Sequence, residues 1–272
     1  MCGLSGYHIM IVSKYFAIIK DFINLEFVCK KFGGNMEKFH YNPIPLNSKT
    51  LGYFPNIETL HLWEEEDENF GNEFLNNTEK NEDCENKAVF KKKFYRIIVW
   101  FNLDFETVDK NKSRNIEFKN ITYTKNDRKK YGNNIPSSVT SIGKSCFCEC
   151  SSLRSVNIPS SVTSIGEYCF CRCISLSKIT IPSSVTSINN SCFYECSSLS
   201  SVNIPSSVTS IGKDCFGNCS SLNSVNIPSS VTSIGNSCFY KCSSLKSVTI
   251  PSSIKLIGDY CFPSNTVVHR SK

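Results

Sequence analysis

Histidine is scarce in this 272-residue chain, and its scarcity removes much catalytic chemistry at once. The four histidines, His8, His40, His61 and His269, are scattered and stand outside the complete repeats described below. No Walker loop, His-Glu-x-x-His pair, Gly-x-Ser-x-Gly elbow or dinucleotide fingerprint occurs, and none of the many serines has an evident base, so an enzyme is not expected. Long apolar runs are also missing. No stretch approaches the roughly 20 apolar residues of a membrane span, and the run from Tyr7 to Val12 is short for a secretory leader and is followed by Lys14. The closing Val268 to Lys272 carry no lipid-anchor or retention signal. Charge of one sign is not piled up either: the net charge is only +6, and the basic runs Lys91–Lys93 and Lys125–Lys130 lack an accompanying aromatic-basic module, so they read as solvated faces and no nucleic acid is expected as a partner.

What the chain has in abundance is one sentence written repeatedly. Between Ile135 and Phe262 the text I-P-S-S-V-T-S-I-G-x-x-C-F-x-x-C-S-S-L-x-S-V-x restarts at Ile135, Ile158, Ile181, Ile204, Ile227 and Ile250, each 23 residues after the last, giving five full units and a broken sixth. A fixed period of about 20–50 residues marks a solenoid whose units pack on their neighbours. Ordering one unit costs roughly 1–2 kcal/mol per residue in backbone entropy. Its six large apolar side chains return at most about 1.5–3 kcal/mol each. A single unit therefore cannot stand alone.

Within the unit, Val156 and Ile158 alternate with Ser155 and Asn157, which predicts a strand with the valine and isoleucine inward. Pro159 ends it, having no N–H for the ladder. Val162 and Ile165 predict a second inward edge. The next position holds Gly143, Gly166, Gly212, Gly235 and Gly258, with Asn189 in the remaining unit, and this Gly/Asn exclusivity predicts a left-handed backbone corner. Cys146, Phe147, Cys150 and Leu153, at i, i+1, i+4 and i+7, predict a short helical turn. Two variable positions avoid stacking like charges: Glu149, Arg172, Glu195, Asn218, Lys241 in one, and Lys144, Glu167, Asn190, Lys213, Asn236, Asp259 in the other.

Of 16 cysteines, eleven fall on two core-facing repeat positions: Cys146, Cys169, Cys192, Cys215, Cys238 and Cys261 on the first, and Cys150, Cys173, Cys196, Cys219 and Cys242 on the second. Small thiols there pack like alanine. Inter-coil disulfides would need an oxidising compartment. Zinc is not expected, because the C-x-x-x-C spacing and the absence of histidine from the repeats do not suit a structural site. No cofactor is implied. A cytoplasmic or nuclear protein with reduced thiols is the default expectation.

The repeated sentence, with its Cys-Phe turn, its leucine, its I-P and its V-T-S-I-G, closely resembles the leucine-rich repeats of the BspA-like family over about half of the chain. The resemblance implies a right-handed repeat solenoid used for protein recognition and no chemistry. For some members it also implies a surface adhesin, which stands as the alternative here, as does a purely structural spacer.

Residues 1–46 show helical periodicity. Ile11, Tyr15 and Ile18 or Ile19 mark one helix, and Phe22, Leu25, Val28 and Phe32 mark a second, with Asp21 placed to cap it. This segment resembles an F-box-like module at Tyr15, Phe16, Asp21, Phe22, Val28 and Phe32, although the leading Leu-Pro is missing. The resemblance implies docking to a ubiquitin-ligase adaptor; the simpler reading is a helical pair that caps the solenoid. In residues 47–134, the stretches Phe54–Trp63, Phe94–Leu103 and Ile116–Thr124 predict strands of divergent repeat-like coils. An acidic insertion, about 64–93, reads as disordered.

The expected fold is thus an α+β repeat: a leucine-rich-repeat solenoid over 135–272 with a small N-terminal helical module. Its expected role is that of a scaffold or adaptor for a protein partner. The outward strand positions are nearly constant serine and asparagine, so partner contacts are expected on the turn side, at Arg154, Tyr168, Arg172, Tyr194, Tyr240, Lys246 and Tyr260, where residue types that dominate interfaces appear.

Overall fold

The computed structural model describes residues 13–28, 32–72 and 91–271. The chain divides into two compact units, 1–120 and 121–272. It is a β-solenoid with few helices, as the repeat predicts.

In the first unit, helix α1 (Ile19–Val28) begins two residues before Asp21, so Asp21 lies in the first turn and not at the cap; its carboxylate accepts from the Ile18 N–H at 3.4 Å. The first expected helix is not formed where it is described: Lys14 and Tyr15 lie in a turn, Phe16 to Ile18 are not helical and Ile19 already belongs to α1, while Ile11 lies outside the described residues. Phe22 is 1% exposed and meets Phe16, Phe39 and Phe54 edge to face, with ring centroids 5.1, 5.8 and 5.3 Å away. These rings share one core with Ile57, Leu60 and Leu62, inward as the alternation predicts, and with Ile97 and Val99. Strand β1 (Thr59–Leu62) pairs in parallel with β2 (Arg96–Asp104), placing Leu60 beside Ile97 and Leu62 beside Val99. Asn42 is buried and joins the edge of this layer, its amide donating to the His61 carbonyl at 2.8 Å and accepting from the His61 N–H at 2.6 Å. The acidic stretch is partly folded, against expectation. Asp67 accepts from the N–H groups of Trp63 and Glu64, and Phe70 is 1% exposed in the core. Residues 73–90 of that expected insertion lie outside the described residues. After β2, helix α2 (Phe105–Asn111) is capped by Asp104, which accepts from the Thr107 N–H at 2.7 Å, and β3 (Ile116–Tyr123) follows.

The second unit opens with Thr122 and Tyr123, the end of β3, paired with Ser141 and Ile142. The basic run read as a solvated face is helix α3 (Lys125–Tyr131), fixed by a capping box between Thr124 and Asp127. Arg128 is not merely solvated: its Nε donates to the Cys146 carbonyl at 2.7 Å and its guanidinium sits over the Phe147 ring. Thereafter the coils stack in the 23-residue register. The second edge forms the two-residue strands β4 (Ser141–Ile142), β5 (Ser164–Ile165), β6 (Ser187–Ile188), β8 (Ser210–Ile211), β10 (Ser233–Ile234) and β12 (Leu256–Ile257). The first edge forms β7 (Ser201–Asn203), β9 (Ser224–Asn226) and β11 (Ser247–Ile250), and β13 (Val267–Arg270) pairs in parallel with β11. Val139, Val162, Val185, Val208 and Val231 are all fully buried, as are Phe147, Phe170, Phe193, Phe216 and Phe239. Those phenylalanines stack ring on ring at 5.2–5.4 Å from Phe147 to Phe262.

Several repeated residues have reasons that the spacing alone does not disclose. The second serine of the I-P-S-S text donates its hydroxyl to the valine carbonyl of the coil before, as Ser161 does to Val139 at 2.7 Å and Ser230 to Val208 at 2.7 Å. The second-position cysteines do more than fill space as alanine would. Cys173, Cys196, Cys219 and Cys242 each point a thiol at a phenylalanine carbonyl of the preceding coil, at 3.1 Å. The expected helical turn is instead a run of four-residue turns, Cys150 N–H to Phe147 O and Leu153 N–H to Cys150 O. Left-handed residues punctuate it. These are Ser145, Tyr168, Ser191, Asp214, Ser237 and Tyr260, and then Glu149, Arg172, Glu195, Asn218 and Lys241.

The glycine corner itself is not left-handed. Among the described glycines, positive φ occurs at Gly34, Gly71 and Gly132, and none of these is a repeat glycine. What the corner requires is close approach: a Cβ on Gly235 would stand 2.5 Å from the Lys213 nitrogen and 2.7 Å from the Gly212 carbonyl carbon. The coils touch backbone to backbone here, and the N–H of Gly166, Gly212, Gly235 or Gly258 donates to an isoleucine carbonyl of the coil before at 2.8 Å.

Asn189 breaks this pattern. Its side-chain amide donates to the Ile165 carbonyl at 2.7 Å, in the role that the backbone N–H plays elsewhere. The ladder parts at that point: β4 pairs with β5, β6 pairs with β8, β10 and β12 in succession, and β5 and β6 are not paired. Asn189→Ala, which keeps a Cβ in the tight place and orphans the Ile165 carbonyl, is expected to cost about 1–3 kcal/mol. Asn189→Gly, which admits the ordinary backbone bond, should cost less. Urea unfolding of the two variants measures this, and a larger loss for glycine would show that the amide does not take the ladder's place.

Candidate functional site

The turn side of the second unit is built by the left-handed residues. At positive φ the side chain leaves the coil at an angle that the neighbouring turn residues cannot reach, so Tyr168, Arg172, Lys241 and Tyr260 project outward. Such a conformation costs an L-residue about 1–2 kcal/mol. Stacking on both sides holds it in place. The charge alternation read from the sequence becomes real contacts: Arg172 bridges Glu149 at 3.3 Å and Glu195 at 3.0 Å, and Lys144 reaches Glu167 at 3.3 Å. The ladder continues through amides, Asn190 donating to Glu167 at 3.1 Å and accepting from the Lys213 N–H at 2.9 Å.

The seven expected contact residues share no single spot. Tyr240 and Tyr260 come together with Lys241, Phe262, Pro263 and Ser264 around a shallow cleft. Tyr260 is 80% exposed. Tyr168 is exposed farther along, under the Lys144 ammonium. Tyr194 is engaged in the fold: its ring lies over Gly217, where a Cβ would meet it at 3.0 Å, and its hydroxyl accepts from the Asn218 amide at 2.8 Å. Burial and the Glu195 carboxylate raise its phenol pKa. Arg172 is held between two carboxylates. Arg154 is exposed, as is Lys246, whose ammonium rests on the Ser243 carbonyl.

The F-box-like set is likewise dispersed. Tyr15 and Val28 are exposed, Phe16 packs on Phe22, and Phe22 is sealed in the first unit's core, where it is unavailable to a partner. Asp21 serves the first turn of α1, and Phe32 is half-buried.

The first unit carries a surface that the sequence reading passed over. On the outward side of β1 and β2, His61 stacks on Tyr41 at 5.2 Å and sits 5.6 Å from Trp63 and 6.0 Å from Trp100, ring centre to ring centre. Trp100, 38% exposed, donates its indole N–H to His61 Nδ1 at 3.3 Å. The Lys119 ammonium lies over the Trp100 ring, and the Lys14 ammonium lies over Tyr41. Arg96 and Lys119 both pair with Glu117. Burial first, then the charges of Arg96 and Lys119, lower the His61 pKa, which keeps the imidazole neutral and able to accept from the indole. The available signal was the alternation itself: His61 and Trp63 lie one position off the inward leucines. No group of three or more metal-ligating side chains occurs among the described residues.

Comparison with known proteins adds the following. A profile described as "BspA type Leucine rich repeat region" matches in six copies, over residues 129–221 and 187–270. No curated protein matches significantly. Among solved structures, a leucine-rich repeat protein from Bacteroides ovatus is 32% identical, with 51% of this chain and 44% of that one covered and a TM-score of 0.41. A leucine rich cell surface protein from Faecalibacterium prausnitzii is 30% identical, covering 60% and 40% with a TM-score of 0.45. A leucine-rich repeat protein of T. pallidum is 28% identical, covering 56% and 73% with a TM-score of 0.42. This chain spans less than half the length of the first two. The profile match covers just over half of the chain, in the register of the stacked coils, and the chain therefore belongs to the BspA-type leucine-rich-repeat family.

Proposed function

We propose that this protein is a non-enzymatic scaffold that binds a protein partner through exposed aromatic and cationic side chains. The observation that carries this reading is the cluster of Tyr41, His61, Trp63 and Trp100 with Arg96 and Lys119 on one outward sheet face. Tryptophan, tyrosine and arginine are the types that dominate interface energies. The strand edge of the repeats, with its Ser201, Asn203, Ser224 and Asn226, offers only uniform small polar groups. The cleft at Tyr240 and Tyr260 is the second contact region in this reading.

Docking of a ubiquitin-ligase adaptor at the N-terminal segment has weaker support, because Phe22, at the centre of that resemblance, is committed to the core. A reducing, intracellular setting suits ladder thiols that serve as packing groups and point at carbonyls, and a cell-surface setting is the alternative. The test is capture of partners from cell extract by the intact protein and by single variants, with mass spectrometry. Trp100→Ala is expected to reduce recovery of the specific partner about tenfold or more without changing the melting temperature, corresponding to at least about 1.4 kcal/mol. Loss on Tyr260→Ala with full recovery on Trp100→Ala would move the interface to the repeat turns. Recovery of an adaptor that depends on Tyr15 and Val28 would reinstate the F-box-like reading.

A further inference from the structure

Two described cysteines belong to neither ladder. Cys148 and Cys171 occupy the position after the stacked phenylalanine, one repeat apart, where later coils have Tyr194, Gly217 and Tyr240. The register at this point is fixed from both sides: the Phe147 N–H donates to the Cys169 carbonyl at 2.8 Å and the Glu149 N–H to the Cys171 carbonyl at 2.8 Å. Directly stacked residues in such a ladder lie about 5 Å apart, inside the range of about 4.4–6.8 Å that a disulfide spans between Cα atoms.

Their access differs in a useful way. Cys148 is half-buried and meets solvent, while Cys171 is 7% exposed beneath the turn. Among the ladder thiols, Cys150 and Cys173 are also stacked with Cys150 half-buried, but there the inner thiol is engaged with a carbonyl. Cys173 is fully buried and points at the Phe147 carbonyl, and Cys146 and Cys169 are fully buried as well.

We propose that Cys148 and Cys171 form a reversible dithiol–disulfide site between adjacent coils, with low-molecular-weight disulfides as the reactant class. The Cys148 thiolate attacks one sulfur of the small disulfide, forming a mixed disulfide and expelling one small thiolate. Cys171 then gives up its proton to that thiolate and attacks Cys148 Sγ, expelling the second small thiolate, which is protonated by water. The protein loses two electrons and two protons, and the small disulfide is reduced to two thiols. Burial pushes the Cys171 thiol up to about 12, so it stays protonated towards outside reagents and its thiolate forms rarely; the second step is therefore the slow one, and it depends on Cys148 being held beside it by the stacked register.

The test treats the folded full-length protein with glutathione disulfide, quenches in acid, blocks free thiols and digests with trypsin. Cleavage after Lys144, Arg154, Arg172 and Lys178 places Cys148 and Cys171 in peptides 145–154 and 155–172, and Cys173 in a separate one. The expected product links 145–154 to 155–172 and disappears on reduction. Cys171→Ser should instead accumulate glutathione on Cys148, Cys148→Ser should abolish the link, and Cys150→Ser should leave it intact. A link from 145–154 to 173–178, a persistent mixed disulfide on Cys148 in the unaltered protein, or full recovery of free thiols would each overturn the proposal.

Discussion

Above pH 9 the repeat unit should lose stability steeply. Burial raises the pKa of every thiol in both cysteine ladders above the ordinary 9.0; Cys146, Cys173, Cys242 and Cys261 are pushed up to about 12. For Cys169, Cys215 and Cys238 the shift upward is larger still, with desolvation the first cause. Below pH 9 folded and unfolded chains are both protonated at these thiols, so their burial is undisturbed. As the pH rises past 9 the unfolded chain releases protons that the folded chain retains, and the equilibrium moves toward unfolding until the folded pKa values are passed. Each thiol that ionises only in the unfolded chain contributes a slope of about 1.4 kcal/mol per pH unit. Four of the fully buried ones together give about 5 kcal/mol per unit, which rivals the typical total stability of about 5–15 kcal/mol. Urea midpoints measured under reductant should therefore fall only slightly from pH 7 to 9 and collapse between about 9 and 11. A midpoint that stays level through pH 10.5 would mean that the thiols are not buried as described.

The largest effect of a single methyl group is expected at the glycine corner. Gly→Ala commonly stabilises a chain by about 0.4–1 kcal/mol through the unfolded state. At Gly235 it should instead destabilise by more than about 3 kcal/mol, because the new Cβ meets only backbone, at 2.5 Å from Lys213 N, 2.7 Å from Gly212 C and 2.8 Å from Lys213 Cα. No side chain stands there to rotate away, so the coils must separate and their hydrogen bonds lengthen. Gly217→Ala is the matched comparison. Its Cβ meets the edge of the Tyr194 ring at 3.0 Å, a side-chain neighbour that need give by only a few tenths of an ångström, and a loss of about 1 kcal/mol is expected. Equal shifts in melting temperature for the two variants would refute the close-approach explanation.

These two results bear on what the sequence discloses. The strand rhythm, the inward valines and isoleucines and the 23-residue register were legible because the same burial constraint is repeated five times and leaves the same side chains each time. The glycine was legible as a constraint but not as a conformation, since a missing Cβ satisfies tight packing and positive φ equally. The true left-handed positions hold mostly serine, tyrosine, glutamate, arginine and lysine, and only Asp214 and Asn218 among them are of types that favour such a backbone. Asn236, at one of the two positions that avoid stacked like charges, also ties coils together: its side chain accepts from the Asp259 N–H at 3.2 Å in the next coil. In the divergent half no repetition averages the signal. Thr124 and Asp127 form a helix cap at the basic run read as a solvated face, and Phe70 is a core ring inside an acidic segment. The aromatic surface around His61 depends on three separate stretches meeting, and no one of them is unusual alone.

The parted ladder at Asn189 has a mechanical consequence. A stack of near-identical coils behaves as a one-dimensional chain of couplings, and such a chain yields at its weakest coupling whichever end is loaded. One asparagine amide joins the second and third coils at the corner, where a continuous backbone ladder joins the others. A steady pull along the stack should open that seam first, leaving two shorter blocks that each hold their own phenylalanine column. The substitution thus marks out one seam at the corner of an array whose other corners are alike.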